Sequence, residues 1–188
     1  MERMPATTVT WRDVLEMPED GNRYEAIGGE LYVSPPPRPP HQWVSANLFH
    51  ELWNVLVRAG LGRLFYAPIG VEFAETEEGV QPDILFVSKE RLHIVTEDGI
   101  QGAPDLVIEI LSPSTARRDR TVKRHLYERQ GVAEYWIVDW RRRQIDCYRR
   151  DGDVLALAGT LGETDVLQSP LLPEFSCPVR DLFERLSR

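Results

Sequence analysis

The sequence is poor in cysteine and contains no long apolar run, and each absence excludes a class of protein. Its 188 residues include two cysteines, Cys147 and Cys177, which stand far apart. They predict reduced, buried thiols rather than a disulfide framework or a thiolate zinc site. No apolar stretch approaches the roughly 20 residues that cross a bilayer. The first residues, MERMPATTVTWRD, show no basic-then-apolar signal pattern, so we expect a cytoplasmic protein with no membrane segment.

Several catalytic motifs are also missing. There is no phosphate-binding loop of the GxxxxGK[ST] kind and no GxGxxG after a predicted strand. Ser112 and Ser114 lie outside any nucleophile-elbow pattern, which argues against a serine hydrolase. The five tryptophans, Trp11, Trp43, Trp53, Trp136 and Trp140, are not spaced as a base-stacking platform, so core and interface packing is their default interpretation.

Charge is distributed unevenly along the chain. The net charge is −8, which by itself disfavours a nucleic-acid partner. Residues 116–150, however, carry a net charge of +6 and the remainder carries −14. This segregation is compatible with a local site for a polyanion, and equally with a solvated helix face followed by a basic turn.

The pattern of apolar residues predicts one α/β domain over residues 1–188. Hydrophobic residues make up 42% of the chain, enough for one substantial core.

Thr10 reads as the N-cap of a short helix that stops near Pro18, and a longer amphipathic helix starts at His41 and ends at Gly60. Further helices are expected from 112 to about 130 and over 181–186. Strands are predicted at 24–27, 30–34, 63–67, 71–75, 84–88, 105–111, 134–140, 144–150, 153–159 and 165–169. Helices interleaved with strands, with hairpins at both ends, predict an α/β sandwich around a central mixed sheet with an N-terminal hairpin.

A glutamate interrupts the most apolar of these strands, DLVIEILSPST. Glu109 stands between Ile108 and Ile110, and a buried carboxylate without a partner costs several kcal/mol. Glu109 therefore needs a compensating cation or must have a raised pKa, and we expect a positive group nearby. Asp105 is about 13 Å away along the strand, too far to share one metal ion. Asp83 begins another strand, and neighbouring strands lie about 4.8 Å apart, so Asp83 and Glu109 could converge on Mg²⁺ or Mn²⁺.

A lysine on the following helix could complete this site. Asp119, Lys123 and Tyr127 fall at positions i, i+4 and i+8, on one helical face. That face could look back over the strand that carries Glu109. Two plainer interpretations stay open: Lys123 is one more residue of a solvated face or a structural ion-pair partner of Glu109, and Tyr127 packs helix against sheet.

The order of these residues resembles the Uma2 family. The resemblance rests on Gln81-Pro82-Asp83, on the run from Ala103 to Thr115, on Asp119, Lys123, Tyr127 and Gly131-Val132, and on Glu134 to Asp139. Upstream it includes Arg23-Tyr24-Glu25, Gly29-Glu30-Leu31 and His41-Gln42, so it covers nearly the whole chain. The single motifs are unspecific, but the ordered series is specific.

The resemblance implies an endonuclease of the PD-(D/E)XK superfamily with a restriction-endonuclease-like fold. It implies that Asp83 and Glu109 are metal ligands and that Glu25 could be a third acidic ligand, unless Glu25 faces solvent. The wider superfamily has a lysine two residues after the glutamate, where this chain has Leu111. The resemblance suggests that Lys123 takes over that role. A homodimer is expected on the same grounds.

Three functional hypotheses follow from these residues. The first is a Mg²⁺- or Mn²⁺-dependent hydrolase of DNA phosphodiester bonds, with Asp83, Glu109 and Lys123 as catalytic residues. In this hypothesis the phosphates of the DNA backbone are contacted by Arg117, Arg118, Arg120 and Arg124. His41 is either a proton carrier, a phosphate contact or a plain helix-start residue. The second is a catalytically degenerate module with the same fold that binds nucleic acid or another partner. The third is an assembly subunit that associates through the aromatic strand EYWIVDW.

Overall fold

The computed structural model describes residues 8–56 and 58–184, which form a mixed α/β fold. The helices are α1 (Trp11–Leu15), α2 (Pro39–Leu56), α3 (Ala116–Arg118), α4 (Arg124–Arg129) and α5 (Val179–Phe183), and a π-helical segment (Asp119–Lys123) joins α3 to α4. The first strands are β1 (Arg23–Ile27), β2 (Glu30–Ser34), β3 (Gly62–Tyr66), β4 (Val71–Phe73), β5 (Glu78–Val80), β6 (Ile84–Ser88) and β7 (Ile100–Gln101). The remaining strands are β8 (Leu106–Ile110), β9 (Glu134–Asp139), β10 (Gln144–Asp151), β11 (Val154–Leu161), β12 (Val166–Ser169) and β13 (Leu172–Pro178).

A six-stranded mixed sheet forms the centre, in the order β11-β10-β9-β8-β6-β3. Strands β8 and β9 run parallel, because the helical residues 116–129 cross over between them, and the other neighbours are antiparallel. All of β8 is buried, which explains its almost unbroken apolar sequence. A second sheet has the order β2-β1-β5-β4-β7, and β12 pairs with β13.

The two faces of the central sheet are covered differently. Helix α2 packs Val44, Leu48, Leu52 and Leu56 on one face, together with α5 and β13. The other face is covered by Leu126 and Tyr127 and by the second sheet. Helices therefore cover both faces of the central mixed sheet, which confirms the predicted α/β sandwich and the restriction-endonuclease-like α/β/α layering that the resemblance implies, and the second sheet shares one of the helical layers. The N-terminal hairpin is β1–β2, and its turn residues Gly28 and Gly29 both have positive φ, as a tight turn requires.

The strand predictions are confirmed in position with small shifts at their ends, but short elements were missed. Neither β5 nor β7 was predicted, since two or three residues carry no readable alternation. The seven-residue strand β13 was missed as well, because its prolines at 173 and 178 argue against a strand. Helix α2 ends at Leu56, before Gly60, and α5 ends at Phe183. Residues 185 and 186 of the predicted final helix lie outside the described residues. No helix within 8–56 or 58–184 is long and apolar enough to cross a membrane.

The proposed association edge is wrong. The strand EYWIVDW corresponds to β9, which lies inside the central sheet between β8 and β10. Its apolar and aromatic side chains are buried because both faces of the sheet are covered there. The edge strands of the central sheet are β3 and β11 instead.

Candidate active site

Asp83 directly precedes β6, and Glu109 lies on the neighbouring antiparallel strand β8. The register pairs Ile84 with Ile108, and continuing it by one residue places Asp83 opposite Glu109. Residues directly opposite in an antiparallel pair point to the same face, with Cβ atoms about 4.5–5.5 Å apart. Asp105 belongs elsewhere: its carboxylate accepts hydrogen bonds from Ser88 and Arg91. The register of β6 against β8 therefore brings Glu109, and not Asp105, opposite Asp83.

Glu109 is bound to the lysine of the crossover helix. Oε1 of Glu109 accepts hydrogen bonds from Nζ of Lys123 at 2.7 Å and from the hydroxyl of Tyr127 at 2.8 Å. The same Nζ lies 2.7 Å from Oε1 of Glu25. Glu25, Glu109 and Lys123 are each at most 3% exposed. Lys123 therefore bridges a carboxylate of the central sheet to one of the second sheet.

The helical face that carries the lysine is built on the π-helical segment. Asp119 and Lys123 are its first and last residues, and Tyr127 follows in α4. All three are buried on the inner side, as their i, i+4, i+8 spacing predicted. The π turn widens the helix locally, and the three residues remain on its inner side. Such segments are frequent at functional sites.

Asp83 is held by a different set of donors. Oδ1 lies 2.6 Å from Nη1 of Arg23, while Oδ2 lies 3.0 Å from Nε2 of His41 and accepts the backbone N–H of Ile110 at 2.8 Å. Burial alone would raise the pKa of Asp83. The hydrogen bonds from His41 and Ile110 and the charge of Arg23 outweigh it and hold the pKa well below its usual value. Asp83 is thus an anion at neutral pH.

The carboxylates of Glu25 and Asp119 lie near the guanidinium of Arg118 but accept no hydrogen bond from it. Oε2 of Glu25 lies 3.3 Å from Nη2 of Arg118, and Oδ1 of Asp119 lies 3.9 Å from its Nε. Neither carboxylate oxygen makes a hydrogen bond with the residues that the structure describes. Arg118 instead donates to Ser34 at 2.7 Å. Asp119 is 2% exposed, and burial raises its pKa to about 6.

These groups line one cleft of about 330 Å³. Its lining includes the acids Glu25, Asp83, Glu109 and Asp119, which are all buried. It also includes the basic residues Arg23, Arg38, Arg118, Lys123 and Arg141, of which Arg38 and Arg141 are exposed. The cleft therefore has an acidic floor and a basic rim. That arrangement can attract a cation to the floor and a polyanion to the rim.

The pKa values of the Lys123 amine and of the Glu109 carboxyl are both raised, by different causes. Burial would lower the pKa of Lys123, but the carboxylates of Glu109, Glu25 and Asp119 raise it above its usual value. Lys123 is therefore a cation at neutral pH. Burial raises the pKa of Glu109 to about 8, against the opposing charge of Lys123, because three other acids lie nearby. In this state Lys123 is a donor of hydrogen bonds and positive charge and cannot accept a proton.

Of the other predicted residues, some contact the site and some lie away from it. Glu25, His41 and Tyr127 all contact Asp83, Glu109 or Lys123. Arg118 lines the cleft, whereas Arg117 is exposed outside its lining. Arg120 binds Asp139 and Asp146, and Arg124 lies over the ring of Tyr148. Of the four predicted backbone contacts, only Arg118 is brought to the cleft.

Sequence reasoning assigned no role to Arg23, Arg38, Asp119 or Arg141, although all four line the cleft. Asp119 could have been found, since it begins the i, i+4, i+8 series with Lys123. Arg23 stands two residues before Glu25 in β1, so the alternation of the strand puts both side chains on one face. Arg38 and Arg141 lie in loops, and only the fold brings them to the cleft.

Asp83 and Glu109 are the residues that could hold a magnesium ion, through two carboxylates. Within the described part of the chain, no group of three or more His, Cys, Asp or Glu side chains is arranged as a metal cage. Mg²⁺ in enzymes is commonly held by one or two carboxylates, with water and substrate phosphate completing the shell. Asp83 and Glu109 supply such a pair of hard oxygen ligands. The unpartnered oxygen of Glu25 is a third candidate.

Comparison with known proteins gives a family model and several solved structures, two of which are described here. The Uma2 family model, described as "Putative restriction endonuclease", matches residues 11–180. No curated protein matches the chain. A crystal structure described as that of a putative nuclease belonging to DUF820 from Anabaena variabilis ATCC 29413 is 22% identical, with a TM-score of 0.76. The alignment covers 93% of this chain and 97% of that one, which shows a shared fold.

The second structure is similar over a smaller part. It is the type IIG restriction endonuclease BpuSI, 15% identical with a TM-score of 0.39. The match covers 76% of this chain and 15% of the BpuSI chain.

Proposed function

This chain belongs to the Uma2 family, and we propose that it is a Mg²⁺-dependent endonuclease that hydrolyses phosphodiester bonds of DNA. The observation that carries the proposal is the contact of Lys123 with Glu109, opposite Asp83, in a cleft with an acidic floor and a basic rim. The family description supports this class of activity, and the shared fold with the protein from Anabaena variabilis that is described as a putative nuclease is compatible with it.

The residues have separable roles in this proposal. Asp83 and Glu109 would hold Mg²⁺, which in such sites activates water and screens the charge of the phosphate. Lys123, kept protonated by its acidic neighbours, donates a hydrogen bond to the phosphate oxygen that gains charge during the reaction. Its proposed role is thus electrostatic, and it is not the base. Arg118, 12% exposed at the wall of the cleft, would bind a backbone phosphate.

Substitution of the two buried acids tests the proposal. Plasmid and single-stranded DNA are incubated with Mg²⁺ or Mn²⁺ and the wild type, Asp83→Asn or Glu109→Gln. We expect both variants to lose at least about a hundredfold in rate, as losses of charge-stabilising groups do. Glu78→Gln is the matched control, because Glu78 is also buried and ion-paired but contacts Arg129 outside the cleft. Equal cleavage by wild type and Glu109→Gln would disprove the site.

A second function is a nucleic-acid-binding module that has lost catalysis. It is favoured by Leu111, which occupies the position where the superfamily has its lysine and is itself buried. Titration calorimetry with Mn²⁺ separates the two functions. The nuclease binds the ion, and Asp83→Asn abolishes that binding. The module binds DNA and shows no such metal affinity.

A further inference from the structure

Trp140 is fixed at the wall of the same cleft. It follows the last residue of β9, and its indole N–H donates to the carbonyl of Leu111 over 3.0 Å. Leu111 is two residues beyond Glu109 in the strand that carries the proposed metal ligand. The ring is half-buried and packs against the core beneath α2. Its orientation is therefore set by the end of the catalytic strand rather than by a flexible loop.

Arg141 adds a charge to this aromatic wall. Its guanidinium carbon lies 5.3 Å from the centroid of the Trp140 ring, within the range of a cation–π contact. Arg141 is exposed, and both residues line the cleft. Aromatic rings and arginine planes are the two surfaces on which proteins stack unpaired bases, and an arginine can also bind the adjoining phosphate.

The volume of the cleft limits which ligands can stack on Trp140 and Arg141. Its volume of about 330 Å³ lies at the small end of pockets that enclose a single small molecule. One nucleotide is of that scale, while a base pair still stacked in a duplex is not. A base that reaches Trp140 must therefore be unpaired, either in a single strand or displaced from its helix.

We propose that the cleft holds one unpaired nucleotide of the substrate strand, with its base stacked on the wall formed by Trp140 and Arg141. The inference rests on the proposed function and defines its substrate class as single-stranded or locally unpaired DNA. The adjoining phosphate then lies toward Arg118 and Lys123. Because every base has a π-face, the stacking supplies affinity without sequence preference. Trp140 thus has a substrate-binding role in addition to packing.

Equilibrium binding in EDTA tests the stacking separately from cleavage. Fluorescence anisotropy is measured with a short oligothymidylate, with an abasic strand of the same length, and with a duplex. We expect wild type to prefer the oligothymidylate. Trp140→Leu should weaken that complex by about tenfold and leave the abasic complex unchanged. Trp140→Phe, which keeps an aromatic face, should retain most of the affinity.

Control variants separate stacking from folding. Trp53→Leu changes a tryptophan that is 45% exposed on α2, outside the lining of the cleft, and should bind like wild type. The proposal is overturned if Trp140→Leu weakens both strands equally, if it weakens neither, or if Trp140→Phe binds as poorly as Trp140→Leu.

The outcome also distinguishes this inference from the proposed function. Base-dependent binding without cleavage under Mg²⁺ disproves the nuclease and keeps the stacking site. Cleavage that is indifferent to Trp140 disproves the stacking site and keeps the nuclease. Absence of binding to the oligothymidylate in EDTA disproves the stacking site, and cleavage under Mg²⁺ then decides the nuclease separately.

Discussion

Nζ of Lys123 lies 2.7 Å from Oε1 of Glu109, although the two residues belong to different layers of the fold. The strand supplies the acid and the crossover helix supplies the lysine, so their contact joins two elements that are consecutive in the chain. A lysine two residues after Glu109 would reach the cleft from the strand itself. In this chain the helix brings the cation to the carboxylate from above the sheet.

Removal of the Lys123 charge should destabilise the fold. Lys123→Met leaves the buried carboxylates of Glu25 and Glu109 without their shared cation, and breaking such a buried pair costs about 3–5 kcal/mol. Urea unfolding followed by circular dichroism measures the free energy of unfolding. The chain has one other lysine, Lys89, which is exposed. Lys89→Met is the matched control and should change the free energy by less than about 0.5 kcal/mol.

The double variant Lys123→Met with Glu109→Gln should recover part of this loss. The amide introduced by Glu109→Gln needs no cation, so only Glu25 is then left without its Lys123 partner. A double variant as unstable as the sum of the two single variants would show that the residues are not coupled.

Stability should fall as pH rises across the neutral range. The pKa of Glu109 is about 8 in the folded protein, against an ordinary value of 4.5. The folded state therefore holds a proton that the unfolded state releases. Its stabilising contribution is complete below pH 4.5 and is lost as pH rises through about 8. The decrease in the free energy of unfolding should be steeper for wild type than for Glu109→Gln, which cannot titrate.

Removal of one residue from the π-helical segment should separate the lysine from its acid. Deletion of Thr121, which is exposed in this segment, restores α-helical spacing and turns one flank by about 100° relative to the other. The proposed nuclease activity should fall, because Lys123 no longer reaches Glu109, while helical circular dichroism is retained. Thr121→Ala keeps the segment length and should cleave normally. Full activity of the deletion variant would contradict a need for the widened turn.

The Tyr127 hydroxyl should contribute a single hydrogen bond to the site. Tyr127→Phe removes the donor 2.8 Å from Oε1 of Glu109 and leaves the buried ring in place. We expect a loss of about 1.5 kcal/mol in the free energy of unfolding. Tyr148→Phe is the control, since that ring is half-buried and stacks on Tyr135 at 6.1 Å. If Tyr127→Phe and Tyr148→Phe lower the free energy of unfolding equally, the hydrogen bond from the Tyr127 hydroxyl does not stabilise the fold.

The N-terminal hairpin and the buried strands were predictable from the chain, because paired glycines and unbroken apolar runs are local signals. The strand 84–88 was predicted at the residues that β6 occupies. The short strands β5 and β7 were not, since their pairing depends on neighbours far along the chain. The aromatic strand EYWIVDW was assigned to an edge because composition does not distinguish an interior strand from an exposed one.

The sequence by itself determined which residue types were available and on which elements they stand. It placed Asp83 and Glu109 on strands and Lys123 on a helix, because alternation and helical spacing act over a few residues. Only the tertiary structure decided that Glu25 meets Lys123, that Arg120 and Arg124 turn away, and that Trp140 and Arg141 close the cleft. Those contacts depend on strand order and on the path of loops, which are fixed when distant apolar faces pack together rather than by any local pattern.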